Sequence, residues 1–289
     1  MQTRTIDRVV DTPAPSPGFI GAGHTAVPVL DPDEFMRNDP FILLMDDRVD
    51  VAPGSPLGGA HPHAGFETVT FVVEGEVRDR VEGTLEEGDV LWMTAGSGVI
   101  HNEDVIQVSP FVRILQLWLT LPPDQRWVSP SFERIAKDRA PVRRERGAEV
   151  RVYSGRSGDV HSTTRNHVPV TLLDIRLEAG ATIEQELPAS YSGFFYVLDG
   201  ALSDGVRAGQ VAHFVVVGGA DERSVLTITA GEQGARVVLY AGEPQNVPIV
   251  MHGPFVGGSR ADLMKVSRDY MEGRFPRLSE IAGALSASA

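Results

Sequence analysis

His61-Pro62-His63 and His101-Asn102-Glu103 each place two potential metal ligands two residues apart. In a strand, residues i and i+2 share a face, so each triplet presents its pair side by side, roughly 6 to 7 Å apart along the backbone. Each is half of a site. A lone His-x-His would be a weak signal, because polar histidines at strand ends often do no more than bond to backbone. Here the second half follows about forty residues later, past the turn signals Glu74-Gly75 and Gly88-Asp89, the separation a meander of short strands needs to return beside its start. If the flanking strands face one another across a small barrel, three imidazoles and one carboxylate converge, and that is a metal site.

Composition limits the donors. The chain has no cysteine, which excludes thiolate sites, disulfides and cysteine nucleophiles and leaves nitrogen and oxygen. Three neutral imidazoles and a carboxylate suit Fe, Mn, Co, Ni, Cu or Zn, with affinity alone unable to choose among them. On an octahedral ion such a set leaves two positions for an organic oxygen donor and O₂; a tetrahedral zinc would be closed by it and purely structural. Parity leaves the carboxylate open: Glu67 follows His61 by six residues and Glu103 follows His101 by two, so either can face inward.

The segments around these pairs resemble the pirins, a branch of the cupin superfamily. The resemblance lies in His61-Pro62-His63-Ala64-Gly65-Phe66-Glu67-Thr68, in Gly88-Asp89-Val90-Leu91-Trp92-Met93-Thr94-Ala95-Gly96-Ser97-Gly98-Val99-Ile100-His101-Asn102-Glu103, and in Gly253-Pro254-Phe255-Val256. It implies two tandem cupin (jelly-roll-like) barrels, with Fe(II) held in the first by His61, His63, His101 and Glu103. The wider cupin pattern, His63-x₃-Glu67, would make Glu67 the ligand; otherwise Glu67 would orient a ligand imidazole, and either glutamate could take a proton from substrate. The implied activity is that of a non-haem iron dioxygenase of the quercetin 2,3-dioxygenase type, with a flavonol-like or other enol or phenol substrate and O₂. The alternative it carries is a non-enzymatic, redox-sensing co-regulator that binds a protein partner.

Some residues depart from the family pattern. Ala64 and Ser97 stand where arginines are usual, Leu91 stands where glutamine is usual, and the hairpin from Glu76 to Glu87 is short. Ala64 adjoins His63, so both lost arginines are expected to flank the opening, and their absence to weaken attraction for anionic ligands.

The elements needed to position such a site are legible. Short apolar runs punctuated by Gly, Pro and Asp recur from Phe41 to Tyr240, which predicts an all-β protein. Phe71-Val72-Val73-Glu74-Gly75 returns as Tyr196-Val197-Leu198-Asp199-Gly200, and Gly88-Asp89-Val90 as Gly209-Gln210-Val211, so two barrels are expected, over 1–140 and 141–289. The second copy has no His-x-His, and His213 reads as a strand histidine, so the second barrel is expected to bind no metal. Pro122 to Gly147, with the basic cluster Arg143-Arg144-Glu145-Arg146, reads as a solvated bridge. Ser259 can cap a C-terminal helix from Arg260 to Glu272, stopped by Gly273, with Leu263, Val266 and Tyr270 on the docking face. A net charge of −13 over 289 residues argues against nucleic-acid binding, and no apolar run could span a membrane. A soluble, cytoplasmic protein is expected.

Overall fold

A computed structural model describes Met1–Ile281 except Glu82 and Glu103. The chain forms two compact units: Ala14–Met36, Phe41–Lys137 and Asn246–Ala289 make the histidine-bearing one, and Met1–Pro13, Arg37–Pro40 and Asp138–Gln245 the other. A consecutive division at residue 140 therefore misplaces both chain ends. Arg8–Asp11 pairs with Gln210–Phe214 in the second unit, while the helix Arg260–Met271 packs in the first. Strand pairing and an apolar helix face decide this, and neither respects order along the chain.

Among the described residues, the histidine-bearing unit has a seven-stranded sheet in the order Ser131–Ile135, Val90–Thr94, Phe66–Glu74, Val112–Thr120, Phe41–Val49, His24–Leu30 and Ser16–Pro17. Two smaller sheets complete its barrel: Val99–His101 with His61–His63, and Ile106–Gln107 with Glu76–Asp79 and Gly83–Glu86. The apolar residues of the meander alternate onto the inner face, where Val49, Leu57, Val72, Val77, Leu85 and Leu91 form a core cluster. Leu91, which replaces a polar residue of the family pattern, belongs to that core.

The second unit is built around Arg223–Gly242. Its first half pairs with Thr182–Pro188 and its second with Val170–Leu177 and Ser192–Leu202, so one long strand serves both sides of a core containing Leu173, Ile183, Phe195, Leu226, Val237 and Leu239. The internal repeat is structural. Phe71 pairs with Val90 as Tyr196 pairs with Val211, and the amide of Gly88 donates to Val72 as that of Gly209 donates to Val197. Within the bridge, Val142–Glu145 is no solvated linker but a strand paired with Ala148–Ser154, and Arg144 reaches across to Glu149, which Arg151 on its own strand also contacts.

The helix follows its sequence signals. Ser259 Oγ accepts from the Asp262 amide, Glu272 caps the other end, and Val266 is buried beside Ala64, Phe255 and Phe275, with Leu263 partly buried on them. Tyr270 stays 39% exposed.

Candidate metal centre

The two histidine-bearing strands do not face one another across the barrel; they are neighbours in one ladder. His61–His63 runs antiparallel to Val99–His101, with His61 opposite His101 and Val99 opposite His63. Directly opposite residues hold their Cβ atoms about 5 Å apart, so this register brings three rings together. Their centroids lie 4.8 Å (His61–His63), 4.5 Å (His61–His101) and 4.9 Å (His63–His101) apart. One ligand nitrogen from each lies within 4.8 Å of the others, and among the described residues no other group of His, Asp or Glu does this.

The nitrogens are prepared for an ion. His61 Nδ1 lies 2.8 Å from the Gly59 carbonyl and must donate to it, which leaves Nε2 unprotonated in the neutral ring, 3.1 Å from His101 Nε2. Two nitrogens at right angles on one ion, each about 2.1 Å from it, stand about 3.0 Å apart, so the spacing fits a shared ion. His63 is buried beside the Pro254 backbone, and its Nδ1 makes no well-formed hydrogen bond among the described residues. Burial, and then the neighbouring His101, lowers the pKa of His61; burial, His101 and His61 hold that of His63 well below the ordinary histidine value. Both rings are thereby kept neutral, the form that ligates.

Glu67 does not join them. Alternation along Phe66–Glu74 puts Thr70 in the cavity wall and Glu67 on the opposite face, where Thr94 Oγ1 donates to its Oε1 at 2.7 Å. The carboxyl is 1% exposed, and burial pushes its pKa up to about 7 against the lowering effect of the Thr94 bond. It neither touches the imidazoles nor lines the cavity, so the ligand, orienting and proton-accepting roles expected of it are all withdrawn. Parity failed because the chain turns at Gly65, with φ +87°, between the two strands, and alternation does not carry through such a turn. Glu103, the other carboxylate, lies outside the described residues.

Ala64 does not flank the opening either. It is fully buried against Phe255, Val266 and Phe275, beneath the C-terminal hairpin and helix, and its carbonyl accepts from the Val256 amide at 2.9 Å. Ser97 is exposed and, like Ala64, does not line the cavity.

The histidines open onto a cavity of about 330 Å³ inside this unit. Its walls are mostly apolar: Leu43, Met45, Val49, Leu57, Val77, Leu85, Ile114 and Trp118, the last with its ring 5.3 Å from that of His63. The short hairpin contributes Val77, Asp79, Gly83 and Leu85 to the cavity wall. Sequence reading missed His24, Asp47 and Gln116, which also line the cavity. No motif marks them, since they meet only through strand register.

This is the arrangement of a two-barrel cupin with a histidine cluster in one barrel. A family model described as Pirin matches residues 29–119, and one described as Pirin C-terminal cupin domain matches residues 172–276. Pirin-like protein 2 of Arabidopsis thaliana is 36% identical over 82% of this chain and 75% of its own length. A Pseudomonas aeruginosa protein, provisionally named a quercetin 2,3-dioxygenase, is 34% identical over 89% of this chain and 94% of its own. The crystal structure of a quercetin 2,3-dioxygenase from Acinetobacter baumannii superposes with a TM-score of 0.80 at 27% identity, covering 94% of this chain and 98% of that one. The chain belongs to the pirin family.

Proposed function

We propose that the protein is a metal-dependent dioxygenase of the quercetin 2,3-dioxygenase type, acting with O₂ on a flavonol-like or related enol or phenol. The observation that carries this is three imidazoles converging at the end of an apolar cavity of about 330 Å³, a volume suited to a small aromatic molecule. Relatives bearing the quercetin dioxygenase name along most of this chain's length support it.

In this reading His61, His63 and His101, with Glu103, hold Fe(II) or a similar divalent ion. When bound, that ion supplies the redox chemistry coupling O₂ to the substrate. The chain's own residues do the rest. The apolar walls exclude water and orient a flat ring, and Trp118, packed on Phe66 at 4.2 Å, fixes the wall beside His63. Thr70 Oγ1 donates to Gln116 Oε1 at 2.8 Å, which turns the Gln116 amide nitrogen into a donor for the ligand. With Glu67 on the other face of the sheet, Glu103 is the carboxylate proposed to take a substrate proton.

The test is O₂ uptake by Fe(II)-loaded protein given quercetin. Uptake with parallel loss of the flavonol is expected, and His63→Ala should lower it by roughly 100-fold or more. Metal-loaded protein that consumes no O₂ with flavonols, catechols or enols would rule the reading out.

A further inference from the structure

His24 and Asp47 form a pair at the far end of the cavity from the metal ligands. His24 is 2% exposed. Its Nδ1 accepts from the Ile20 amide at 3.2 Å, so Nε2 carries the proton and donates to Asp47 Oδ1 at 2.8 Å. The backbone is wrapped around this ring: a Cβ on Gly18 would lie 2.2 Å from it, so only glycine lets the loop close there. Both nitrogens of His24 are used, and its role is to hold Asp47. The second carboxylate oxygen, Oδ2, has no hydrogen-bond partner among the described residues, and the Asp47 side chain keeps 17% exposure in the cavity wall.

The strand register gives the distance to the metal end. Leu43, Met45 and Asp47 face the cavity on one strand, opposite Trp118, Gln116 and Ile114 on the next. Trp118 touches His63. Four residues at about 3.3 Å each put Asp47 about 13 Å along the sheet from that level, with Gln116 about halfway.

We propose that Asp47 reads the far end of the ligand: the cavity takes an elongated, flat, largely apolar molecule that meets the histidines at one end and gives a hydroxyl hydrogen to Asp47 at the other. A carboxylate accepts and cannot donate, so it favours a hydroxyl over a methoxy group or an anion at that end. Gln116 offers a donor to an oxygen midway. His24 is a positioning residue for Asp47, and the flavonol reading enters only in the choice of one probe.

The experiment measures calorimetric affinities of Fe(II)-loaded protein without O₂ for two ligand pairs. One is a flavonol carrying a hydroxyl or a methoxy group at the para position of its phenyl ring. The other is a biphenyl catechol with the same alternatives on its distal ring. The native protein should prefer the hydroxyl member by about 10-fold or more, since hydrogen bonds to charged groups are the stronger class. Asp47→Asn can keep the bond from His24 through Oδ1 while turning the other position into a donor, so the preference should fall to near parity or invert. Binding of the biphenyls alone, with that Asp47-dependent preference, upholds the recognition and removes flavonols from the proposed substrates. No hydroxyl preference in the native protein, whether or not the variant folds, overturns the inference. So do a preference unchanged in Asp47→Asn and a failure of both pairs to bind.

Discussion

Burying an imidazole nitrogen costs about 1–3 kcal/mol unless a well-formed hydrogen bond offsets it, and at His63 Nδ1, beside the Pro254 backbone, none among the described residues does. His63→Leu is therefore expected to leave the metal-free protein no less stable, by thermal unfolding, while abolishing the rise in Tm that added Fe(II) gives the native chain. Glu67 makes a separate prediction. Its folded pKa of about 7 lies above its unfolded value, so the folded state holds the extra proton. The stability this contributes is complete below about pH 4.5 and is lost as pH rises through 7, by up to about 3 kcal/mol. Glu67→Gln should thus flatten the fall in stability between pH 5 and 8 and leave metal content unchanged, whereas Glu103→Gln should lower metal content. Reduced metal in Glu67→Gln would return that residue to the ion. At this scale the histidines were legible, because i and i+2 spacing survives within a short strand. Glu67 was misread across the turn at Gly65, and His24 and Asp47 were invisible because 23 residues and a strand pairing separate them.

The strand pair that carries the ligands is braced by the C-terminal hairpin and helix. Ala64, next to His63, is covered by Phe255, Val266 and Phe275, so an arginine there would be buried without a partner. Ala64→Arg should destabilise the protein by roughly 3 kcal/mol or more, and Ser97→Arg, on an exposed residue, by less than about 0.5 kcal/mol, in denaturant unfolding. This replaces the expectation that the two arginines would restore affinity for anions. Ser259→Ala should cost about 1 kcal/mol by loss of the cap on the Asp262 amide. Reduced metal retention in that variant would tie the helix to the site. The helix was readable from Ser259, Asp262 and Gly273 because caps are local chemistry. What it covers was not, because Ala64 and Val266 are some two hundred residues apart in sequence and meet only in the folded unit.

Across the whole molecule, the repeated glycine turns at Gly88 and Gly209 disclosed two barrels, since each turn requires the same amide-to-carbonyl bond and leaves the same short signature. The exchange of the chain ends had no such signature: Gln2–Thr3 and Arg8–Asp11 complete their sheet through backbone bonds that almost any residue could make. Among the described residues, the second unit has no cluster like that of His61, His63 and His101, so metal is expected in one barrel only. The most direct test of the central claim is the metal content of protein purified without a histidine tag, compared with that of the His61→Ala, His63→Ala double variant. About one transition-metal ion per native chain is expected, and almost none in the variant. A double variant that folds and retains the full complement of metal would contradict the claim.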